Sequence, residues 1–178
     1  MSDKLLTVLL ILLSIASLAK AQARGRITLR QEPVASAGDS RIAEELFPPM
    51  LAGLRRSKVE FTGSGTGYVA AAEYTDGLRL ELRKGGAMAS PQQLRALAEH
   101  YKNRPTREGD VGYERPVLIQ GYQSLEIYVS YSGLRLCNII LGDVGQLSIN
   151  SRLTEDIFRK AISELDLKGL EKKLKAKP

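Results

Sequence analysis

Few side chains in this sequence have the chemistry of a nucleophile, an acid–base catalyst or a metal ligand: there is one histidine, His100, and one cysteine, Cys137, in 178 residues, and no tryptophan. A disulfide needs two cysteines and a structural zinc site needs four Cys or His ligands, so both are excluded. Thiolate chemistry would require a cation or base beside the sulfur. Cys137 lies instead in Leu134-Arg-Leu-Cys-Asn-Ile-Ile-Leu141, a strand-like apolar run, and reads as a small buried residue. His100 follows Glu99 at the end of an amphipathic stretch, where a cation favours the helix carboxyl end without any catalytic role. Ser124, in Gly121-Tyr-Gln-Ser-Leu125, lacks the second glycine of a nucleophile elbow, and neither an HExxH motif nor a calcium loop occurs. The pairs Glu44-Glu45 and Glu155-Asp156 read as first-turn carboxylates at helix amino ends. Gly63-Ser-Gly-Thr-Gly67 has the glycines of a phosphate cradle, but strand-like Tyr68-Val-Ala-Ala-Ala-Glu-Tyr74 follows it where a Gly-Lys-Ser/Thr and a helix would be needed. It reads as a hairpin loop. No cofactor and no metal site are expected, and a hydrolase of unknown type is the catalytic alternative.

Binding chemistry is better represented. Tyr68, Tyr74, Tyr113 and Tyr122 are concentrated around the strands, where they either pack across strands or line a ligand site at the mouth of a sheet; Tyr128 and Tyr131 share that region. Two basic groups stand out, Arg55-Arg56 with Lys58, and the tail carrying Lys168, Lys172, Lys173, Lys175 and Lys177. Such clusters either solvate a helix face or are drawn by a salt-sensitive field toward anionic lipid or polysaccharide.

The elements that must position these residues begin with a targeting segment. Lys4 precedes an apolar stretch from Leu5 to Leu18, and Ala19-Lys20-Ala21 follows. A positive start, a short apolar centre and small residues at the −3 and −1 positions are what a signal peptidase reads, so residues 1–21 are expected to be a cleaved signal peptide, with cleavage after Ala23 as the alternative. A membrane span would need about 20 apolar residues. No cysteine lies near the junction for a lipid anchor. Cleavage removes Lys4, Lys20 and Asp3, which lowers the net charge from +6 to +5. A periplasmic or secreted location makes nucleic acid an unexpected partner.

Residues 22–37 read as a flexible lead-in, and residues 38–178 as a single domain. Ile42, Leu46 and Phe47 recur at helical spacing before Pro48-Pro49 interrupts them. Strands are expected at Lys58–Thr62, Tyr68–Tyr74 and Leu78–Arg83, the last two joined by Asp76-Gly77, a tight-hairpin signal. Leu78, Leu80 and Leu82 alternate with Arg79, Glu81 and Arg83, which predicts a sheet covered on one side. Ser90-Pro91 opens a helix bearing Leu94, Leu97, Ala98 and Tyr101 on one face. A polar loop from Arg104 to Gly112 leads into strands at Val117–Gln120, Ser124–Tyr131, Leu134–Leu141 and Gln146–Asn150. Thr154 caps a last helix striped with Ile157, Phe158, Ala161, Ile162 and Leu165, and Asp166 restarts it with Leu167, Leu170 and Leu174. Strands grouped between helices predict an α+β fold, a mainly antiparallel sheet of six to seven strands with helices packed against it.

The segments Leu46-Phe-Pro-Pro-Met-Leu-Ala-Gly-Leu-Arg55, Ala70-Ala-Ala-Glu-Tyr-Thr-Asp-Gly77 and Leu165-Asp-Leu-Lys-Gly-Leu170 resemble a pattern in small bacterial exported proteins to which no activity is assigned. The resemblance touches most of the chain after residue 21. It implies a periplasmic location and an α+β domain, and no activity. Taken together, the expected function is that of a soluble, non-catalytic cell-envelope module that binds an envelope protein or a small ligand. Candidate binding residues are Tyr68, Tyr74, Tyr113, Tyr122, Arg55, Arg56, Lys172 and Lys173. The alternative is electrostatic contact with anionic lipid or polysaccharide through the lysine-rich end.

Overall fold

The computed structural model describes residues 37–64, 67–86 and 89–176. The expected signal peptide lies outside them, as does the lead-in except Ala37. A helix, α1 (Ala37–Leu46), precedes strands β1 (Met50–Leu51), β2 (Leu54–Ser64), β3 (Gly67–Tyr74) and β4 (Arg79–Gly85). Helix α2 (Pro91–Lys102) follows, then β5 (Arg107–Gly109), β6 (Gly112–Ile119), β7 (Tyr122–Val129), β8 (Leu134–Leu141) and β9 (Gly145–Ser151). Helices α3 (Glu155–Glu164) and α4 (Leu167–Ala176) close the order. All nine strands join one sheet in the order β1-β2-β3-β4-β9-β8-β7-β6-β5. Every pairing is antiparallel, so the architecture is α+β.

Two meanders make the sheet. The first runs outward to inward from β1 to β4; the chain then crosses through α2 to the opposite edge and returns from β5 to β9, which pairs with β4 at the centre. Side chains alternate between faces along each strand, and the register carries that alternation across the sheet. On one face, Ala72, Leu80, Ile149 and Cys137 form a continuous cross-strand row, and Ala70, Leu82, Leu147 and Ile139 form the next. This core face buries Ala43, Leu46 and Phe47 near the end of α1, and Phe158, Ala161, Ile162, Leu167, Leu170 and Leu174 of α3 and α4. Each fully buried leucine or isoleucine of this kind stabilises by about 1.5–3 kcal/mol.

The structure departs from the sequence expectations in several places. Nine strands stand where six to seven were expected, because two very short edge strands are added. Met50–Leu51 turns back on Leu54 and Arg55 through Ala52 (φ 54) and Gly53 (φ 82), where no strand was expected. Arg107–Gly109 pairs with β6 inside the stretch expected to be a polar loop. Neither strand has the length or alternation to announce itself. The face opposite the main core is also covered in part, since Ala89, Leu94 and Tyr101 pack there on Leu125 and Ile140. Ile140 follows Ile139 in β8, so the two point to opposite faces. Glu44 and Glu45 lie in the last turn of α1, not its first. Thr154 occupies the N-cap position of α3 but its side chain makes no capping bond, whereas Ser90 forms a full capping box with Gln93.

Candidate binding site

At the end of the core face away from β1–β4, the apolar rows give way to charged and aromatic ones. The register aligns Tyr113 of β6, Tyr128 of β7 and Arg135 of β8; one step along, it aligns Arg115, Glu126 and Cys137. Gly112 makes the first row possible. Its φ is +128°, and an added Cβ would fall on the Tyr128 carbonyl oxygen, so only glycine lets β6 start this close to β7. Tyr113 and Tyr128 then pack with ring centroids 5.6 Å apart. The Arg115 guanidinium lies 4.4 Å from the centre of the Tyr113 ring, and that of Arg135 lies 4.2 Å from Tyr128, both within cation–π range.

Glu126 is the anchor of the cluster and is only 2% exposed. A buried carboxylate must be hydrogen-bonded and paired. Glu126 accepts one bond from Arg115 Nε at 3.0 Å and a two-pronged pair from Arg159 of α3, at 2.5 and 3.0 Å. That fork joins the helix to the strand and holds the Arg159 guanidinium more firmly protonated than usual, chiefly through its bond to Glu126. Glu155, in the first turn of α3, reaches Arg159 at 3.4 Å and Arg135 at 3.5 Å. Three guanidinium groups therefore meet two carboxylates.

Arg135 stands apart within this set. Its side chain is 12% exposed, its Nε is buried without a hydrogen-bond partner, and its contact with Glu155 is an ion pair without hydrogen-bond geometry. Among the described residues, nothing accepts a hydrogen bond from this guanidinium.

The sequence-derived candidates do not assemble into one site. Of them only Tyr113 belongs to this cluster. Tyr68 is buried against Phe61 with ring centroids 4.9 Å apart, and Tyr74 is buried with its hydroxyl donating to the Pro48 carbonyl at 2.8 Å. Burial pushes both phenols up to about 12. Tyr122 donates to Glu171 at 2.6 Å; burial, then that carboxylate, raises its phenol to about 12. Arg56 donates to the carbonyls of Glu44 at 2.9 Å and Phe47 at 2.5 Å, closing the end of α1. Arg55 and Lys172 are exposed, and Lys173 donates to the Glu45 carbonyl at 2.5 Å. A cleft of about 280 Å³ lies between the ends of α1 and α3, but Glu164, Asp166 and Lys173 on its wall are bonded to backbone at Ala52, Gly169 and Glu45.

Sequence reasoning missed Arg115, Glu126, Arg135 and Arg159. One signal was available: Ser124, Glu126 and Tyr128 alternate with Leu125, Ile127 and Val129, so one side of that strand had to carry a carboxylate and a tyrosine together. The nucleophile candidates stay apart. Ser124 is buried on the core face with its hydroxyl on the Tyr122 carbonyl, while His100 is exposed on α2, across the sheet, and meets Arg104 at 2.9 Å. Cys137 is wholly buried, and its thiol is held un-ionised by burial and by the nearby Glu126. Among the described residues, no three His, Cys, Asp or Glu side chains converge as metal ligands, and no helix is long and apolar enough to cross a membrane. Compared with known proteins, the chain matches no family model, no curated protein and no solved structure.

Proposed function

We propose that this chain is an exported cell-envelope protein that works as a non-catalytic binding module, and that its binding surface is the arginine–tyrosine end of the core face. The observation that carries the reading is the half-exposed row of Tyr113, Tyr128, Arg115 and Arg159 built around a buried Glu126. Tyrosine and arginine supply large, pre-ordered contact area with directional donors, which is why they dominate binding hot spots. Here cross-strand pairing, Gly112 and the Glu126 fork already fix their geometry, so a partner would not have to order them.

The lysine-rich end supports a lesser role. The apolar stripe of α4, Leu167, Leu170 and Leu174, is buried in the core, and Lys173 and Lys175 are engaged with Glu45 and Glu171. What this helix offers an anionic membrane is a polar face with Lys168 and Lys172, a salt-sensitive contact and not an insertion.

Two measurements test the proposal. Amino-terminal sequencing of the protein recovered from the periplasmic or secreted fraction is expected to begin at Gln22; an intact Met1 in the cytoplasmic fraction would overturn export. Immobilised mature protein is expected to retain a component of envelope extract that the Tyr113→Ala/Arg115→Ala variant does not. Identical retention by both would remove this surface from the binding role.

A further inference from the structure

The electrostatics of this cluster identify the chemistry it lacks. A guanidinium has five donors and is charged at all accessible pH values, so burying one without an acceptor is costly. Arg135 is in that condition, stacked on Tyr128 with a buried, unpartnered Nε and no hydrogen bond from the rest of its fork. Among the described residues its one ion-pair partner is Glu155, which is 49% exposed and shared with Arg159. The neighbouring Arg159 already commits its fork to Glu126, and Thr154 leaves the first-turn amides of α3 without a side-chain acceptor. A buried cation, a second cation beside it and uncapped helix amides all favour a negative oxygen group at this corner. Glu155 carries the right chemistry but is tethered to the helix, half exposed, and held by an ion pair to Arg135 at 3.5 Å and two long hydrogen bonds from Arg159 at 3.4 Å.

We infer that Arg135 and Arg159, with the first turn of α3, form a binding site for the oxyanion of a ligand, a carboxylate or a phosphate, and that Glu155 occupies its place in the free protein and swings out when the ligand enters. This rests on the binding role proposed above and names the ligand chemistry. Tyr128 and Tyr113 would flank the rest of the ligand with aromatic surface.

The test uses the mature chain, with sodium phosphate and sodium acetate titrated separately at constant ionic strength and sodium chloride as the control. The Nε–H resonance of Arg135 reports the site by NMR. A saturable shift in the phosphate arm assigns a phosphoryl-type ligand, one in the acetate arm assigns a carboxylate, and both support the inference. Glu155→Gln removes the internal competitor without removing a donor, and is expected to tighten binding about tenfold. Arg135→Gln is expected to weaken it at least about tenfold, while Arg83→Gln, on the opposite face, leaves it unchanged. Shifts in neither arm, shifts equalled by chloride, or a Glu155→Gln variant that binds no more tightly would overturn the inference. If both salt arms fail while envelope capture still depends on Tyr113 and Arg115, the oxyanion site is wrong and the binding surface stands.

Discussion

Two ion-pair clusters of similar composition sit on opposite faces of one sheet, and they differ in nearly every physical consequence. On the face opposite the core, Lys58, Arg79 and Arg83 interleave with Glu60, Glu73 and Glu81 across β2, β3 and β4, with pairs at 2.5, 2.6 and 2.7 Å. Among the described residues no helix packs over that ladder, its charges balance, and all its members are partly exposed. On the core face, Arg115 and Arg159 hold a Glu126 that α3 closes off, Arg135 pairs with Glu155 beside them, and three cations face two carboxylates. Composition does not separate the two. What separates them is whether a helix lies over the strand, because the cover decides whether a charge is solvated or must be satisfied by its neighbours.

The sharpest way to break that comparison is to remove the central carboxylate. Glu126→Ala leaves Arg115 and Arg159 facing each other beside a void, and is expected to destabilise by about 3–5 kcal/mol in urea unfolding. Replacing Arg115, Glu126 and Arg159 together by apolar residues of similar size is expected to recover most of that loss, since well-packed apolar groups often replace a buried ion cluster at no cost. If the single variant costs no more than a surface ion pair, the cluster is solvated and the contrast between the two faces fails.

Next in size is Cys137→Ser. The thiol lies one cross-strand step from Glu126 at the boundary between the charged and apolar rows, wholly buried. A hydroxyl puts a polar group in place of sulfur at a wholly buried position, and the expected loss is about 1–3 kcal/mol. The native thiol is expected to react with an aromatic disulfide only as fast as the protein unfolds; rapid reaction in native buffer would show that the boundary is wet.

The same boundary explains how much of the molecule was legible beforehand. Strong alternation in Leu78–Arg83 and helical stripes in Leu94–Tyr101 and Ile157–Leu174 placed most elements, because local periodicity reports which face is buried. Edge strands of two and three residues left no such trace. Glu126 was missed for a different reason. Its strand carries Leu125, Ile127 and Val129 on one side, and an expectation of one-sided cover assigns that side to the core and Glu126 to water. In the structure α2 covers the Leu125 side and α3 the Glu126 side. Only the long-range register and the placement of α3 reveal that the polar side also faces protein, and no local pattern encodes either.

Alkaline titration probes the apolar half of the core face by comparison. Tyr68 and Tyr74 have phenols raised from 10.0 to about 12 by burial, so between those values the folded protein holds protons that the unfolded chain has lost. Stability is therefore fully present below pH 10 and falls as pH rises toward about 12. Tyrosinate absorbance of these two phenols should rise together with unfolding. Ionisation near pH 10 with the fold intact would mean that the rings are not sealed by Phe61 and its neighbours.

The smallest effect belongs to the ladder on the other face. Arg79 touches Glu73 at 2.6 Å, Glu60 at 3.3 Å and Glu81 at 3.9 Å, which by geometry alone makes it the hub of the cluster. Removing it as Arg79→Ala leaves three carboxylates near one another, yet each keeps access to water, and Lys58 and Arg83 still pair with Glu60 and Glu81. The expected loss is about 1 kcal/mol or less, and it should shrink further at high salt, since ions screen exposed charges within about 10 Å at 0.1 M. The loss in Arg159→Ala, by contrast, should persist in salt, because Glu126, left with Arg115 alone, is buried out of reach of ions. Running both variants through the same salt series separates solvation from geometry: equal salt sensitivity would show that the helix over Glu126 does not exclude water, whatever the distances beneath it.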